Sequence, residues 1–331
     1  MKFKKINKKK LLIEINNLKI IQNIFLKKYN VDDIFSNSKI FEITIANKLN
    51  HILIPGHSGS RDAKDILDNI YEYKHYKKTS SNHSWTFNDY SENTINKLKE
   101  IKSVIFAHID DSGNQFIFDW YYEVDGKIIS KYLEEKTKLI KNNRKMINVS
   151  STQIEKFLSI RKTFTNQKIS NNLYGNDLSN IYKTIANIEK ITGVKNILTS
   201  NKIWEVLTSI HLNHNVNSEQ GGRVGAHDAF DINNNQYEYK ISKTPNWNFQ
   251  DISENVLSKY NNIKYFILAI KNIDNISINR IYFVKVKELI QRIRIKLQEK
   301  KERKKGILRR LQISISLSDI KNITEKVINI T

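Results

Sequence analysis

Tyr71-Glu72-Tyr73-Lys74 and Tyr237-Glu238-Tyr239-Lys240 are one tetrapeptide written twice in a single chain, 166 residues apart. The stretches around them repeat in the same order. Upstream, Lys39-Ile40-Phe41-Glu42 matches Lys202-Ile203-Trp204-Glu205, and Leu49-Asn50-His51 matches Leu212-Asn213-His214. Gly59 and Gly225 precede Asp62-Ala63-Lys64-Asp65-Ile66 and Asp228-Ala229-Phe230-Asp231-Ile232. Downstream, Trp85-x-Phe87-x-Asp89-x-Ser91-Glu92-Asn93 answers Trp247-x-Phe249-x-Asp251-x-Ser253-Glu254-Asn255. So many landmarks in one order mean an internal duplication, and self-similarity constrains an architecture before any element is assigned. The 331 residues therefore divide into two domains, expected at 1–165 and 170–331 with the linker around Thr163 to Leu178, each long enough to bury a core of its own.

The duplication lets each element be read twice. Apolar residues at helical spacing, Ile40, Phe41 and Ile45 or Ile203, Trp204, Leu207 and Ile210, predict a helix. A Gly-containing loop follows, then two short segments around a polar turn, Leu67-Asp68-Asn69-Ile70 or Asn233-Asn234-Asn235-Gln236, which predict a hairpin with Glu-x-Lys on its second strand. The Trp-x-Phe segment leads into a short helix and an apolar run, Ser103 to Ala107 or Tyr265 to Ile270, of the kind expected for a strand buried on both faces. A second aromatic strand comes next, Phe116 to Val124 or Ile281 to Val286, and then a basic helix with Leu289, Ile293 and Leu297 on one side. The fold class expected is α/β, a mixed α+β arrangement in which each repeat builds a central mixed sheet flanked by helices.

Composition narrows the partner. Lys and Arg number 55 against 34 Asp and Glu, a formal charge of +21, and such an excess attracts a polyanion through counterion release and long-range steering. An Asn- and Ile-rich, AT-biased coding sequence contributes to the same surplus. The chain has no cysteine, so disulfides, thiol nucleophiles and cysteine-based zinc sites are excluded together. The longest apolar run, near Tyr265 to Ile270, falls far short of the roughly 20 residues that span a bilayer. The Lys-rich beginning runs into Glu14, Asn16 and Asn17, a poor secretory core. A cytoplasmic protein with no membrane partner is the expectation.

Glu72 and Lys74, like Glu238 and Lys240, stand at i and i+2 of a strand, so both side chains share a face. An aspartate on the neighbouring hairpin strand can face them. Two carboxylates suit Mg²⁺, a hard cation that prefers oxygen and keeps waters, and an ammonium beside them can position or help deprotonate an attacking water. Each repeat offers two aspartates. A spacing of ten residues to the glutamate points to Asp62 and Asp228, the preferred pair, and a spacing of seven to Asp65 and Asp231. A lone Asp…Glu-x-Lys is more often a solvated strand face, but here all four residues recur while the flanking sequence diverges, as in Lys131 to Lys141 against Arg292 to Glu302.

In these residues the chain resembles the PD-(D/E)xK nuclease superfamily, and among its members the type II restriction endonucleases. The resemblance covers the hairpin core of each repeat, and no Pro precedes either aspartate. It implies two tandem restriction-endonuclease-like domains and Mg-dependent hydrolysis of phosphodiester bonds in double-stranded DNA, with Mn²⁺ able to substitute. Asp62, Glu72 and Lys74 would be catalytic in the first copy and Asp228, Glu238 and Lys240 in the second, with Asp62, Glu72, Asp228 and Glu238 holding metal. Glu42 and Glu205 would be additional helical acids. A monomer working as a pseudo-dimer on both strands follows, rather than a homodimer, and a cognate DNA methyltransferase is among the partners implied. The rival activities are a structure-specific repair or recombination nuclease and a non-catalytic DNA-binding protein.

The remaining features carry less. His51 and His214 recur, and His211 lies three residues before His214, but without cysteine or a third clustered histidine they read as polar residues at helix ends. Trp85 and Trp247, with Phe87 and Phe249, read as core anchors rather than as base-stacking groups. Gly221-Gly222 with Gly225 lacks the Lys-Ser/Thr of a phosphate loop. Lys300, Lys301, Arg303, Lys304, Lys305, Arg309 and Arg310 fall in a basic helical block, whose expected use is contact with the phosphate backbone.

Overall fold

In a computed structural model, the structure describes residues 6–36, 39–55, 61–88, 91–140, 146–165, 173–200, 202–217, 227–304 and 311–330. Gly59, the Gly221-Gly222 and Gly225 loop, Lys305, Arg309 and Arg310 lie outside them. The protein is mixed α/β, with two six-stranded mixed sheets and, among the described residues, ten α-helices. None of those helices is long and apolar enough to cross a membrane.

The two sheets have one topology. In the first, Ile52–Leu53, Ala63–Lys64, Ile70–Lys77, Ser103–Asp110, Ile117–Asp125 and Thr163–Phe164 lie side by side in that order. In the second, the order is Asn215–Val216, Ala229–Phe230, Gln236–Ser242, Ile263–Asn272, Ser277–Val284 and Thr324–Asn329. One neighbouring pair in each sheet is parallel, Ile70–Lys77 with Ser103–Asp110 and Gln236–Ser242 with Ile263–Asn272, and the others are antiparallel. A parallel pair needs a crossover, and the segment between its strands supplies one: a short strand, Trp85–Phe87 or Asn246–Phe249, then a short helix, Glu92–Leu98 or Glu254–Lys259. Ser91 and Ser253 cap these helices by accepting from the amides of Thr94 and Val256, as Ser does at an N-cap.

Each crossover strand pairs with a later segment, Ile147–Val149 or Ile313–Ser316, and the resulting ribbon covers one face of its sheet. Trp85 and Trp247 are fully buried under it, and their indole N–H groups donate to the Ala107 and Ala269 carbonyls at 2.8 and 2.9 Å. They are core anchors, packed with Phe87, Phe106, Tyr122 and Val124 in one repeat and Phe249, Phe266, Tyr282 and Val284 in the other. The basic helices Gly126–Leu139 and Val286–Arg303 close these cores with Ile129 and Leu133, or Leu289 and Ile293. On the opposite face lie the helices Lys39–Leu49 and Lys202–Leu212. Both stop where the repeated Asn takes the left-handed conformation, Asn50 at φ 59° and Asn213 at φ 58°, and the next amide, of His51 or His214, reaches back to the Ala46 or Ser209 carbonyl. Asn tolerates that backbone.

The chain divides into two compact units, residues 20–186 and residues 1–19 with 187–331. At the two ends of the expected linker, Thr163–Phe164 is an edge strand and Leu178 lies in the helix Gly175–Thr192; residues 166–172 between them lie outside the described residues. Both divisions fall inside long helices, Lys8–Tyr29 and Gly175–Thr192. The reason is where their side chains bond. Within residues 20–186, the Tyr29 hydroxyl donates to Asp177 Oδ2 at 2.6 Å, the Leu53 amide donates to the Tyr174 hydroxyl at 3.0 Å, and Thr44 and Tyr182 share a hydroxyl contact of 2.9 Å. Within the other unit, Asn187 donates to Glu14 Oε1 and Lys8 to Asn213 Oδ1, both at 3.0 Å.

Gly126 opens its helix where the backbone passes closest to the preceding connection. A Cβ there would lie 2.3 Å from the Leu98 carbonyl oxygen and 2.4 Å from that of Ile101. Neither is a side chain that can swing away. Gly126→Ala should therefore cost at least the upper end of the about 1–3 kcal/mol typical of overpacking, measured as a lowered midpoint in urea unfolding with an unchanged slope. Wild-type stability in this variant would show that the helix start shifts freely.

Candidate active site

The hairpin turn fixes everything that follows it. Asp65 caps the turn: its carboxylate accepts from the amides of Leu67 and Asn69, from Asn69 Nδ2 and from the Tyr71 hydroxyl, at 2.9–3.0 Å. Asp231 does the same with Asn233, Asn235 and Tyr237 at 2.8–2.9 Å. Asp68 and Asn234, both at φ 61°, make the left-handed step that such a turn requires. The Asn69 side chain, with the other donors, holds the Asp65 carboxyl well below the usual range. For Asp231 burial works in the other direction, but its hydrogen bonds outweigh it and leave the group at about 2. These two aspartates are occupied by the turn.

Asp62 and Asp228 stand at the other end of the short strand. Each backbone N–H donates to the carbonyl of Tyr71 or Tyr237, and each carboxylate accepts from the amide of Tyr73 or Tyr239, at 2.6 and 2.8 Å. That amide lies between the glutamate and the lysine of Glu-x-Lys, so the aspartate is held beside both. Glu72 and Glu238 are only 4% and 7% exposed. Each is paired through Oε1 with its own lysine, Lys74 or Lys240. The lysine ammonium groups also stand over the Phe87 and Phe249 rings, 5.4 and 5.8 Å from the centroids.

The helical acids come to the same place. Glu42 and Glu205 are ion-paired with Lys39 and Lys202, one turn earlier. Burial raises the Glu42 carboxyl and the Asp62 charge raises it further, against Lys39. Burial likewise pushes Glu205 up to about 7, with Asp228 adding to it. Glu72 and Glu238 are pushed up to about 7 by burial, which their lysines oppose and Asp62 and Asp228 reinforce. Lys240 is held further into its charged form: burial opposes this, but the Glu238 and Asp228 charges prevail. Each repeat thus gathers three mutually repelling carboxylates and two ammonium groups. In the first repeat Glu72 Oε2 is buried with no hydrogen-bond partner. An unsatisfied buried carboxylate oxygen is costly, and a cation would satisfy it.

Lys39 and Lys202 were not singled out from sequence. Their signal was present, because both repeats carry Lys-x-x-Glu at helical spacing. The recurrent histidines also find a definite place. His51 Nδ1 and His214 Nδ1 each lie 2.8 Å from the hydroxyl of Tyr73 or Tyr239, and their rings stack on Tyr71 or Tyr237 at 4.2 and 4.1 Å. These residues occupy the strand face opposite Glu-x-Lys and tie the helix end to the hairpin. Among the described residues, no group of three or more His, Asp and Glu side chains is arranged to hold a metal ion. The basic block is described through Lys304: Lys300, Lys301 and Arg303 end the helix Val286–Arg303, Lys304 follows it, and Lys296, Lys300, Arg303 and Lys304 line a cavity of about 540 Å³ with Ile313 and Ser314.

His75 distinguishes the repeats, because Ile241 replaces it in the second. Its ring packs on Phe41, 4.5 Å between centroids. Burial, helped by Lys74 and Lys77, lowers it to about 4. An unfolded histidine titrates near 6.5, so the unfolded chain binds the proton first. The stability that His75 contributes is complete above that pH and is lost as pH falls from about 6.5 to 4. His75→Ile, which copies the second repeat, should flatten this part of the stability profile by at most about 3 kcal/mol, read from urea midpoints at successive pH values. An unchanged acid limb would show that His75 is solvated.

The chain matches none of the protein-family models and none of the curated proteins against which it was compared.

Proposed function

We propose that the chain is a metal-dependent DNA nuclease of the PD-(D/E)xK type with two active sites, and that its specific form is a restriction endonuclease acting on double-stranded DNA as a pseudo-dimer. The observation that carries this is the rebuilding of one constellation in both repeats. Asp62, Glu72, Lys74 and Glu42 have the same partners as Asp228, Glu238, Lys240 and Glu205. A solvated charged face has no reason to keep two glutamates buried, and acids perturbed by burial and by specific charged partners cluster at functional sites.

The residues fit Mg²⁺. Asp62 with Glu72, and Asp228 with Glu238, would hold it, and the buried Oε2 of Glu72 is an oxygen in need of a cation. Two carboxylates from the protein are what this ion usually takes, and the rest of its shell would be left to water and phosphate oxygens. Bound there, Mg²⁺ would supply Lewis-acid stabilisation of the phosphate and lower the pKa of a coordinated water.

The chain's own groups do the rest. Lys240 is held as an ammonium, so it acts by charge and by donating hydrogen bonds, orienting a water and offsetting negative charge on the phosphate, rather than by removing a proton. Lys74 occupies the same position in the first repeat. Lys39 and Lys202 keep the helical acids ion-paired beside the site. Lys296, Lys300, Arg303 and Lys304 supply backbone contacts, which set affinity without reading sequence.

Separate Lys74→Ala and Lys240→Ala proteins, incubated with supercoiled plasmid and Mg²⁺, should each turn double-strand cutting into nicking, on opposite strands, with a loss of at least about a hundredfold at the altered site. Mn²⁺ should replace Mg²⁺ and a general chelator should abolish cutting. If the wild-type protein cuts no DNA with either metal, or if both variants still linearise plasmid at the wild-type rate, this function is wrong.

A further inference from the structure

Two residues beyond each lysine of Glu-x-Lys, on the same face, one row of side chains crosses the sheet. The two rows are chemically unlike. In the first repeat the pairing register sets Tyr76 beside His108, His108 beside Trp120 and Trp120 beside Phe164. In the second it sets Ser242 beside Ile270, Ile270 beside Arg280 and Arg280 beside Asn329. Four aromatic rings in one copy thus face none in the other. The second repeat serves as an internal control, because it builds the same sheet without them.

Only the outer end of the aromatic row is open, because the ribbon covers the inner end: the Trp85 ring lies 4.9 Å from that of Tyr76 and 6.1 Å from that of Trp120, and His108 is buried. Tyr76 and Trp120 are half-buried, and Phe164, on the edge strand, is 72% exposed. His108 is fixed from below: its Nδ1 lies 2.6 Å from Asp119 Oδ1, and its ring lies parallel to that of Trp120, 4.7 Å away and tilted by 5°. Tyr76 meets both rings edge-on, at 5.1 and 6.1 Å. Cations line the outer end. Lys162 Nζ stands 4.3 Å from the Trp120 ring centroid and 6.0 Å from that of Phe164, and the exposed Arg161 precedes it.

We infer that the outer end of this row, Trp120 and Phe164 with Lys162, is a stacking platform for the unpaired bases of a DNA strand that enters the first site. The inference rests on the reading of the chain as a DNA-cutting enzyme and makes its two sites inequivalent. Every base has a π-face, so aromatic side chains alongside cations hold single strands with little regard to sequence. The row begins about 7 Å along the strand from Lys74 and spans about 14 Å across it, from the rise per residue and the strand spacing. Its open end, at the sheet edge, is therefore near enough to Glu72 and Lys74 for one DNA strand to reach both. The Lys162 ammonium occupies the Trp120 face that a base would take, and on binding it is released toward the phosphate next to that base.

Binding of the full chain to a fluorescein-labelled oligothymidylate and to a labelled duplex, in chelator so that nothing is cut, tests this. Phe164→Asn and Trp120→Ala should weaken single-strand binding on the order of ten-fold each and leave duplex binding within about two-fold. Phe164 is exposed, so its substitution reports on binding even if Trp120→Ala does not fold. Arg280→Ala, in the second repeat, should not change single-strand binding. Equal losses on single strand and duplex, or no loss with Phe164→Asn, overturn the platform. Metal-dependent cutting by a protein whose single-strand binding ignores Phe164 would leave the nuclease standing and remove this inference. Phe164-dependent single-strand binding by a protein that never cuts would do the reverse.

Discussion

A carboxylate with almost no exposure must be protonated, paired or metal-bound, and Glu72 and Glu238 impose that condition on everything around them. Their lysines cannot leave the strand face, because Glu-x-Lys puts both groups on one side and Phe87 or Phe249 packs beside the ammonium. Asp62 and Asp228 cannot drift, because each accepts from the amide in the middle of the motif. The tryptophan-anchored ribbon that sets Phe87 or Phe249 beside the lysine is also the core of its repeat. Site and core are therefore one packing problem, solved twice.

The turn shows how the aspartates divide their work. Asp65 and Asp231 collect four hydrogen bonds each and need nothing more, while Asp62 and Asp228 end up close enough to raise the acids beside them. Both classes are spelled with the same residue, three positions apart. The difference lies in backbone geometry: a left-handed Asp68 or Asn234 closes the turn around the nearer aspartate and directs the farther one along the hairpin.

Much of this was legible in the residues. Helical spacing, polar turns and apolar runs, read twice, located the hairpin, the buried strand, the Trp-x-Phe segment and the basic helix. Trp85 and Trp247 were legible as core because Phe87 and Phe249 repeat two positions on. Other features depend on register, which sequence specifies weakly. No spacing indicates that Trp120 lines up with His108 on one side and Phe164 on the other, since a bulge between His108 and Ile109 shifts the count. The pairing of His51 with Tyr73 depends on where the helix stops, which a left-handed Asn50 sets. The edge strand Thr163–Phe164 and the start of the helix Gly175–Thr192 escape the sequence for a related reason: both form through contacts with residues far away in the chain.

The helices Lys8–Tyr29 and Gly175–Thr192 carry a consequence for the chain's handling. The unit of residues 20–186 ends with the opening turns of a helix that belongs by sequence to the second repeat, and the other unit begins with residues 1–19 of the first. No cut placed between the repeats yields two whole units. A half-gene would encode a body missing Tyr174, Leu178 and Tyr182, all buried, or one missing Leu11, Ile15 and Leu18. Covalent fusion is thus part of each unit's own completeness.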